Sequence, residues 1–380
     1  MAERVVMVVT NDAVSDPRVE KEGVALAAAG FEVVVLAWDR TGVAPQVEER
    51  LGLRIERFGP RAAYGGGLRS LVRFRGFWAN ASARAIELAP AVVHCHDLDT
   101  AVVGLRVLRG RPGAKLVMDH HELYRETRMV PQRGLVGAVA RALVDALDRR
   151  AARTAAFIVV SVPSFQSRYQ RWASGRVIVV ENAPDAELFR PRATPRPDRP
   201  FTVGYVGQKR YAASLTTLME IVQRHEDMAA LLAGGGTAAE EIDRVAASMS
   251  RVEVTGRFVY SDLPAYYERC DAVFGVYDAG VGNIRAAFPV KVMEGMACGL
   301  PVIVDAGTWI GDYVTRHGVG IAVDGSDETA VEAALVRLKD DRDLSAAMGA
   351  RGRALVESGL SWPVVSERLV DAYRRLPGAR

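Results

Sequence analysis

Apolar residues along this chain fall into short continuous runs separated by longer stretches of helical period. RVVMVV (4–9) and EVVVLAW (32–38) are uniformly apolar, and between them Pro17 to Ala29 repeats at the helical spacing, with Asp16 placed to cap it and Gly30 to end it. LRIERF (53–58), AVVHCHDLD (91–99), KLVMDHHELY (115–124) and FIVVSVPS (157–164) continue the strands, with helical stretches at 69–87 and about 133–154. Strands this apolar, alternating with helices, predict a parallel sheet covered on both faces.

The alternation stops at RATPRPDRP (192–200), which holds three prolines and no apolar run, and reads as a linker. It then restarts. TVGYVGQ (202–208), MAALLAGGG (228–236), VEVTGRF (252–258) and DAVFGVYD (271–278) read as strands. Helices are expected at 215–225, at 261–270 with Ser261 as cap and Pro264 in its first turn, and at 327–339, 342–356 and 362–375. A chain of 380 residues is long enough for two such domains.

Two strands of the first half end in polar clusters, His96 with Asp97 and Asp119 through Glu122. In an open parallel sheet ligands bind at the carboxyl ends of strands, so both clusters are candidates for one crevice. The His94-x-His96 spacing with His120 and His121 raises a zinc site, but His94 falls deeper in its strand. Structural, satisfied histidines are the preferred reading for His94 and His120.

In the second half, NIRAAFPVKVMEGMACGLPVIV (283–304) carries the clearest chemistry. Pro289 belongs before or in a first helical turn, Val292 to Cys298 reads as a short helix, and Gly299 is placed to end it. A buried strand follows at 302–304. The helix start presents N–H groups and the positive end of a dipole, Lys291 adds a full charge, and Glu294 lies close by. That combination predicts an anion site, most naturally for phosphate.

Composition narrows the field. Forty-nine basic residues against 46 acidic ones give a net charge of +3, too mild to argue for nucleic acid. Cys95, Cys270 and Cys298 are odd in number and scattered in apolar surroundings, as expected of buried thiols in a reducing cytoplasm. The apolar run after Met1 reads as a first strand and not a signal peptide, and no run approaches the ~18 residues of a membrane helix. The first strand–helix connection, TNDAVSDP, has no glycine, which argues against a nicotinamide or flavin enzyme. Residues 69–87 are basic, aromatic and helical in period. They either pack Leu71, Val72, Phe74 and Trp78 onto the sheet, the favoured reading, or lie on a membrane surface at its cytoplasmic face.

The string P-x-K-x-x-E-x-M-A-C-G-x-P-V-I from Pro289 resembles the donor-binding segment of family 4 glycosyltransferases. D-x-H-E-L-Y at 119–124, His96-Asp97, and N-x-x-D-x-x-x-F-x-P at 182–191 resemble other passages of the same family. The resemblance implies a GT-B fold: two Rossmann-like, doubly wound parallel-sheet α/β domains facing across a cleft. Residues 1–190 would bind the acceptor, 191–200 would be the linker, 201–360 would bind a nucleotide-sugar, and 361–380 would return to the first domain.

It also implies a retaining, metal-independent hexosyltransferase that needs no cofactor. Its partners would be a nucleotide diphosphate-sugar, with UDP the expected nucleotide, and a hydroxyl-bearing acceptor in glycan, glycolipid or secondary-metabolite biosynthesis. Glu294 would hold the ribose hydroxyls. Arg210, with Lys209 in reserve, and Lys291 would hold the diphosphate, and Gly207, Asn283, Phe288, Pro289 and Val290 would complete the donor site. His121 would contact the reacting sugar, with His96, Asp97, Asp119 and Glu122 on the acceptor side. The family's pair of glutamates would fall at 286 and 294, and this chain has Ala286 at the first. Asn283 or backbone N–H groups of 286–290 are expected to replace it. Two other readings fit the same architecture, a sugar-nucleotide epimerase and a nucleotide-binding scaffold without turnover.

Overall fold

The computed structural model describes residues 2–14, 16–62, 68–127, 129–193, 199–277, 280 and 282–376, except the side chains of 68–72. The chain forms two compact units, residues 1–181 with 366–380, and residues 182–365. The division falls before the proline-rich stretch assigned as a linker, of which 194–198 lie outside the described residues.

In the first unit, β1 (Arg4–Val9), α1 (Pro17–Ala28), β2 (Glu32–Trp38), β3 (Val47–Arg50) and β4 (Leu53–Phe58) come first. After them come α2 (Leu68–Glu87), β5 (Val92–His96), α3 (Ala101–Gly110), β6 (Lys115–His120) and α4 (Gly134–Thr154). β7 (Phe157–Val160), α5 (Pro163–Gln170) and β8 (Val177–Val179) complete it. The sheet runs β3-β4-β2-β1-β5-β6-β7-β8. All pairings are parallel except β3 on β4, an edge hairpin that the sequence reading missed. Val5 to Val8 are fully buried, as a strand covered on both faces requires. Asp16 caps α1 as expected, accepting from the Val19 N–H at 3.2 Å.

The second unit contains β9 (Phe201–Val206), α6 (Ala212–Arg224), β10 (Met228–Ala233), α7 (Ala239–Ala246) and β11 (Val252–Thr255). α8 (Leu263–Glu268), β12 (Ala272–Gly275), α9 (Gly282–Ala286) and α10 (Val290–Ala297) follow. β13 (Val302–Asp305), α11 (Trp309–His317), β14 (Gly320–Val323), α12 (Glu328–Asp340) and α13 (Arg342–Leu355) end it. The last helix, α14 (Trp362–Arg374), straddles the division of the chain at 365/366. The all-parallel order β11-β10-β9-β12-β13-β14 is the doubly wound pattern, with its switch point between β9 and β12. Phe201, Leu218, Leu232, Ile242 and Phe274 lie at its core, each contributing about 1.5–3 kcal/mol by burial. Ser261 does not cap α8. A 3-10 turn over Tyr260–Asp262 intervenes, and no side-chain cap bond forms.

Residues 69–87 are helical, and their aromatic face is used inside the unit. Phe77 is fully buried and stacks on Trp38, Phe74 meets Trp38 edge-on, and Trp78 Nε1 donates to the Asp99 carbonyl. The core reading of that segment therefore accounts for these side chains; Leu71 and Val72 lie outside the described ones. Among the described residues no helix is long and apolar enough to cross a membrane.

Candidate active site

The switch point of the second unit gathers the predicted donor residues. β9 ends at Gly207, where φ is +136° and an added Cβ would stand 3.2 Å from Lys291 Cε and 3.3 Å from Nζ. The next strand end is glycine for a related reason. A Cβ at Gly234 would lie 2.1 Å from the Gly207 carbonyl oxygen, so only glycine lets the two loops touch.

α10 begins where Pro289, at its N-cap, turns the chain with φ −64° and ψ 131°. By helix geometry the N–H groups of Val290 and Lys291 have no partner inside the helix. Val290 is exposed. Lys291 is 8% exposed, and its Nζ lies 3.1 Å from the Tyr205 ring centroid and 5.2 Å from that of Tyr277. Among the described residues no ion pair or hydrogen bond of that ammonium is found. Burial pushes its pKa well below the usual lysine range, Glu294 opposes the shift, and Arg210 adds to it. The site is short of negative charge.

Glu294 is also buried, and its Oε2 accepts from the Tyr267 hydroxyl at 2.6 Å. Any ribose that used this carboxylate would share it with Tyr267. Arg210 is exposed, and among the described residues its guanidinium rests on Gln208, Nε and Nη2 lying 3.2 and 3.1 Å from Oε1. Asn283 is half-buried in α9.

Two expectations need correction. Lys209 is 1% exposed, with Nζ 3.2 Å from Asp243 Oδ1 and 3.2 Å from the Thr255 carbonyl. Its charge is spent inside the fold, so it is not a reserve for Arg210. Phe288 is buried against Trp309 and Tyr313 with centroids 5.3 and 5.2 Å apart, so its side chain supports the loop and does not line a ligand site.

In the first unit the carboxyl ends of β5 and β6 meet, and Asp119 is the hub. Arg18 from α1 grips it twice, Nε to Oδ2 and Nη2 to Oδ1, both at 2.7 Å, and donates through Nη1 to the Val180 carbonyl at 2.8 Å. His121 Nε2 lies 2.9 Å from Asp119 Oδ2, and His96 Nδ1 lies 3.0 Å from the same oxygen and 3.1 Å from His121 Nε2.

Asp97 holds His121 from the other side. Its Oδ1 accepts from the His121 N–H at 3.0 Å, and its Oδ2 lies 3.4 Å from Nδ1. To do so Asp97 adopts φ 61°, a strained conformation for a non-glycine residue. Burial alone would lower the His121 pKa, but Asp97 and Asp119 raise it to about 10. His121 is therefore an imidazolium at neutral pH, a donor of hydrogen bonds and not a base. Glu122 is exposed on the following turn.

His94 and His120 are buried in the fold, His94 with Nδ1 2.8 Å from the Tyr373 hydroxyl and His120 stacked on Tyr169 at 4.3 Å. Neither is fully satisfied: among the described residues His94 Nε2 and both ring nitrogens of His120 lack a hydrogen-bond partner, which corrects the expectation. Glu22, His94, His96 and Asp119 each offer an atom within 4.8 Å of one another, the geometry of a metal site. They do not fit a resident cation. Arg18 Nη2 already lies 2.9 Å from Glu22 Oε1 and 2.7 Å from Asp119 Oδ1, so an ion would meet a permanent positive charge. Burial also raises the Glu22 pKa to about 8, which leaves it neutral at pH 7.

Sequence reasoning missed Arg18, Tyr205, Tyr267 and Tyr277. The i,i+4 spacing of Arg18 and Glu22 on the buried face of α1 was the available signal for the first. The tyrosines carried none, since aromatic residues in strands and helices ordinarily report packing.

Residues 16–183 match the glycosyl transferase 4-like domain, and residues 188–355 match glycosyl transferases group 1. A GDP-mannose-dependent monoacylated alpha-(1-6)-phosphatidylinositol monomannoside mannosyltransferase of Corynebacterium glutamicum is 30% identical over 45% of this chain and 45% of its own length. The corresponding mannosyltransferase of Mycolicibacterium smegmatis is 30% identical over 55% of this chain and 61% of its own. The chain thus spans about half the length of the curated relatives it matches.

Among solved structures, sucrose-phosphate synthase of Thermosynechococcus elongatus superimposes with a TM-score of 0.81 at 21% identity, covering 98% of both chains. HepE of Anabaena, solved with UDP and glucose, gives 0.72 at 14% identity over 98% of this chain and 100% of its own. Both likenesses establish the GT-B fold. The two domain matches, the mannosyltransferase relatives and the fold converge on one assignment, and this chain belongs to the group 1 glycosyltransferases of family 4.

Proposed function

We propose that this protein transfers a hexosyl group from a nucleotide diphosphate-sugar to an acceptor hydroxyl, retaining the anomeric configuration and requiring no metal ion. The observation that carries the reading is Lys291. A buried ammonium with no carboxylate on it, beside a helix start and a glycine that keeps the approach open, suits an incoming diphosphate. As the bond to the sugar breaks, negative charge grows on that diphosphate. Lys291, Arg210 and the N–H groups of Val290 and Lys291 stabilise it in place of a cation.

Glu294 receives the ribose hydroxyls while Tyr267 fixes its carboxylate. Asn283 and the backbone of 286–290 take the sugar hydroxyls that a carboxylate at 286 would have held. His121, as an imidazolium, donates to a hydroxyl of the reacting sugar. Because it is already protonated, the acceptor proton passes to an oxygen of the leaving phosphate.

The sequence does not give the base, and UDP is expected only as the commonest donor nucleotide. The names of the relatives weigh toward GDP-mannose, which is therefore the first donor to try. The test is to incubate the protein with GDP-mannose and UDP-hexoses, with and without phosphatidylinositol-type and simple glycoside acceptors. Diphosphate release and the product sugar are then followed. Acceptor-dependent release supports transfer, conversion of the donor alone supports an epimerase, and binding without release supports a silent scaffold.

A further inference from the structure

The first three turns of α4 expose an apolar stripe that none of the described residues covers. Leu135 is 82% exposed, Val136 74%, Val139 53% and Leu143 67%. Residues 135, 139 and 143 follow the i, i+4, i+8 spacing and so lie in one row, with 136 beside them. The residues between them on that side, Ala138, Ala142 and Ala146, are exposed and uncharged. Folding gains nothing from leaving large aliphatic side chains in water over this length.

The same side of the helix turns basic toward its end. Arg149, Arg150 and Arg153 are exposed there, and Arg150 and Arg153 have no ion pair among the described residues. Asp145 and Asp148, the acidic residues of α4, are occupied by Arg125 and Arg168. The face is therefore apolar for about 18 Å and cationic beyond, with no exposed acid on it. A protein partner would have to supply an acidic apolar groove of matching shape. A bilayer containing anionic lipid supplies apolar depth beside phosphate without shape matching.

We propose that the exposed face of α4 docks this protein onto an anionic membrane surface, the aliphatic row entering the acyl boundary and the arginines meeting lipid phosphates. The segment is separate from 69–87, whose aromatic residues are engaged in the core. The proposal does not depend on sugar transfer, because docking requires no donor.

The test is co-sedimentation of the full chain with phosphatidylcholine vesicles, with and without phosphatidylglycerol, and sedimentation velocity without vesicles. Wild type should bind the phosphatidylglycerol vesicles, and added salt should weaken that binding. Val139→Asp with Leu143→Asp, and separately Arg150→Glu with Arg153→Glu, should each lower partitioning about tenfold or more. All four positions are exposed, so the thermal midpoint of each variant should match wild type and separates lost binding from lost folding. Equal sedimentation of wild type and both variants would overturn the proposal. So would a wild-type dimer that Val139→Asp with Leu143→Asp dissociates while vesicle binding persists, since the row would then join two copies.

Discussion

The ammonium of Lys291 lies 3.1 Å from the centre of the Tyr205 ring, with Gly207 immediately beside it. An aromatic face attracts the charge without neutralising it. The lysine therefore stays in place, and its remaining directions stay available to an anion. Lys291→Met, which keeps the length and removes the charge, should lower kcat about 100-fold or more, with a thermal midpoint at or above wild type. Steady-state kinetics with a calorimetric melt measures both. Arg210→Ala, at an exposed position, should lower turnover about 10-fold or more without changing the melt.

The Glu294 carboxylate accepts from the Tyr267 hydroxyl through Oε2. Glu294→Gln should weaken binding of the free nucleotide diphosphate about tenfold in titration calorimetry. Tyr267→Phe leaves a buried carboxylate short of a donor and should destabilise the fold by about 1–3 kcal/mol in urea. Unchanged binding in Glu294→Gln would remove the ribose role.

Arg18 is buried between Asp119 and Glu22 and also binds a backbone carbonyl. Arg18→Leu should destabilise by about 3–5 kcal/mol, because Asp119 would keep its charge in a dry site. Adding Asp119→Asn to that variant should recover part of the loss, a non-additivity that denaturation of the double mutant reads directly.

His121 gives a pH signature. Its pKa is about 10 when folded, against an ordinary value of 6.5, so its pairing with Asp97 and Asp119 stabilises the fold fully below pH 6.5. That stabilisation falls as pH rises through 10. Urea midpoints for wild type should therefore drop over this range relative to His121→Gln. In Asp97→Asn, which removes one of the two carboxylates, the drop should be smaller and should level off at lower pH. Parallel profiles for all three proteins would mean that folding leaves the His121 pKa at its ordinary value.

Much of this was legible in the sequence because it depends on period and punctuation. The apolar strands, the Asp16 cap, and the start of α10 at Pro289 follow from local rules. The placement of His96, Asp119 and Gly207 at strand ends follows from the parallel sheet that the alternation requires. What the sequence hid is decided by side-chain direction. Lys209 and Lys291 look alike as cations near a glycine turn, yet one runs inward to Asp243 and the other stands on a tyrosine. Ser261 has the chemistry of a cap and lost the position to a 3-10 turn. The exposed row on α4 was invisible because a helix with alternating apolar residues reads as a buried one until its neighbours are known.

The pairing of Tyr373 with His94 joins residues 279 positions apart, and the same tyrosine packs edge-on against Phe31 and Phe157. During synthesis the sheet that carries His96 and Asp119 must wait, one wall missing, until the residues that follow the second unit have been made. A chain shortened before residue 366 would leave His94 without that hydroxyl and Phe31 and Phe157 without that ring.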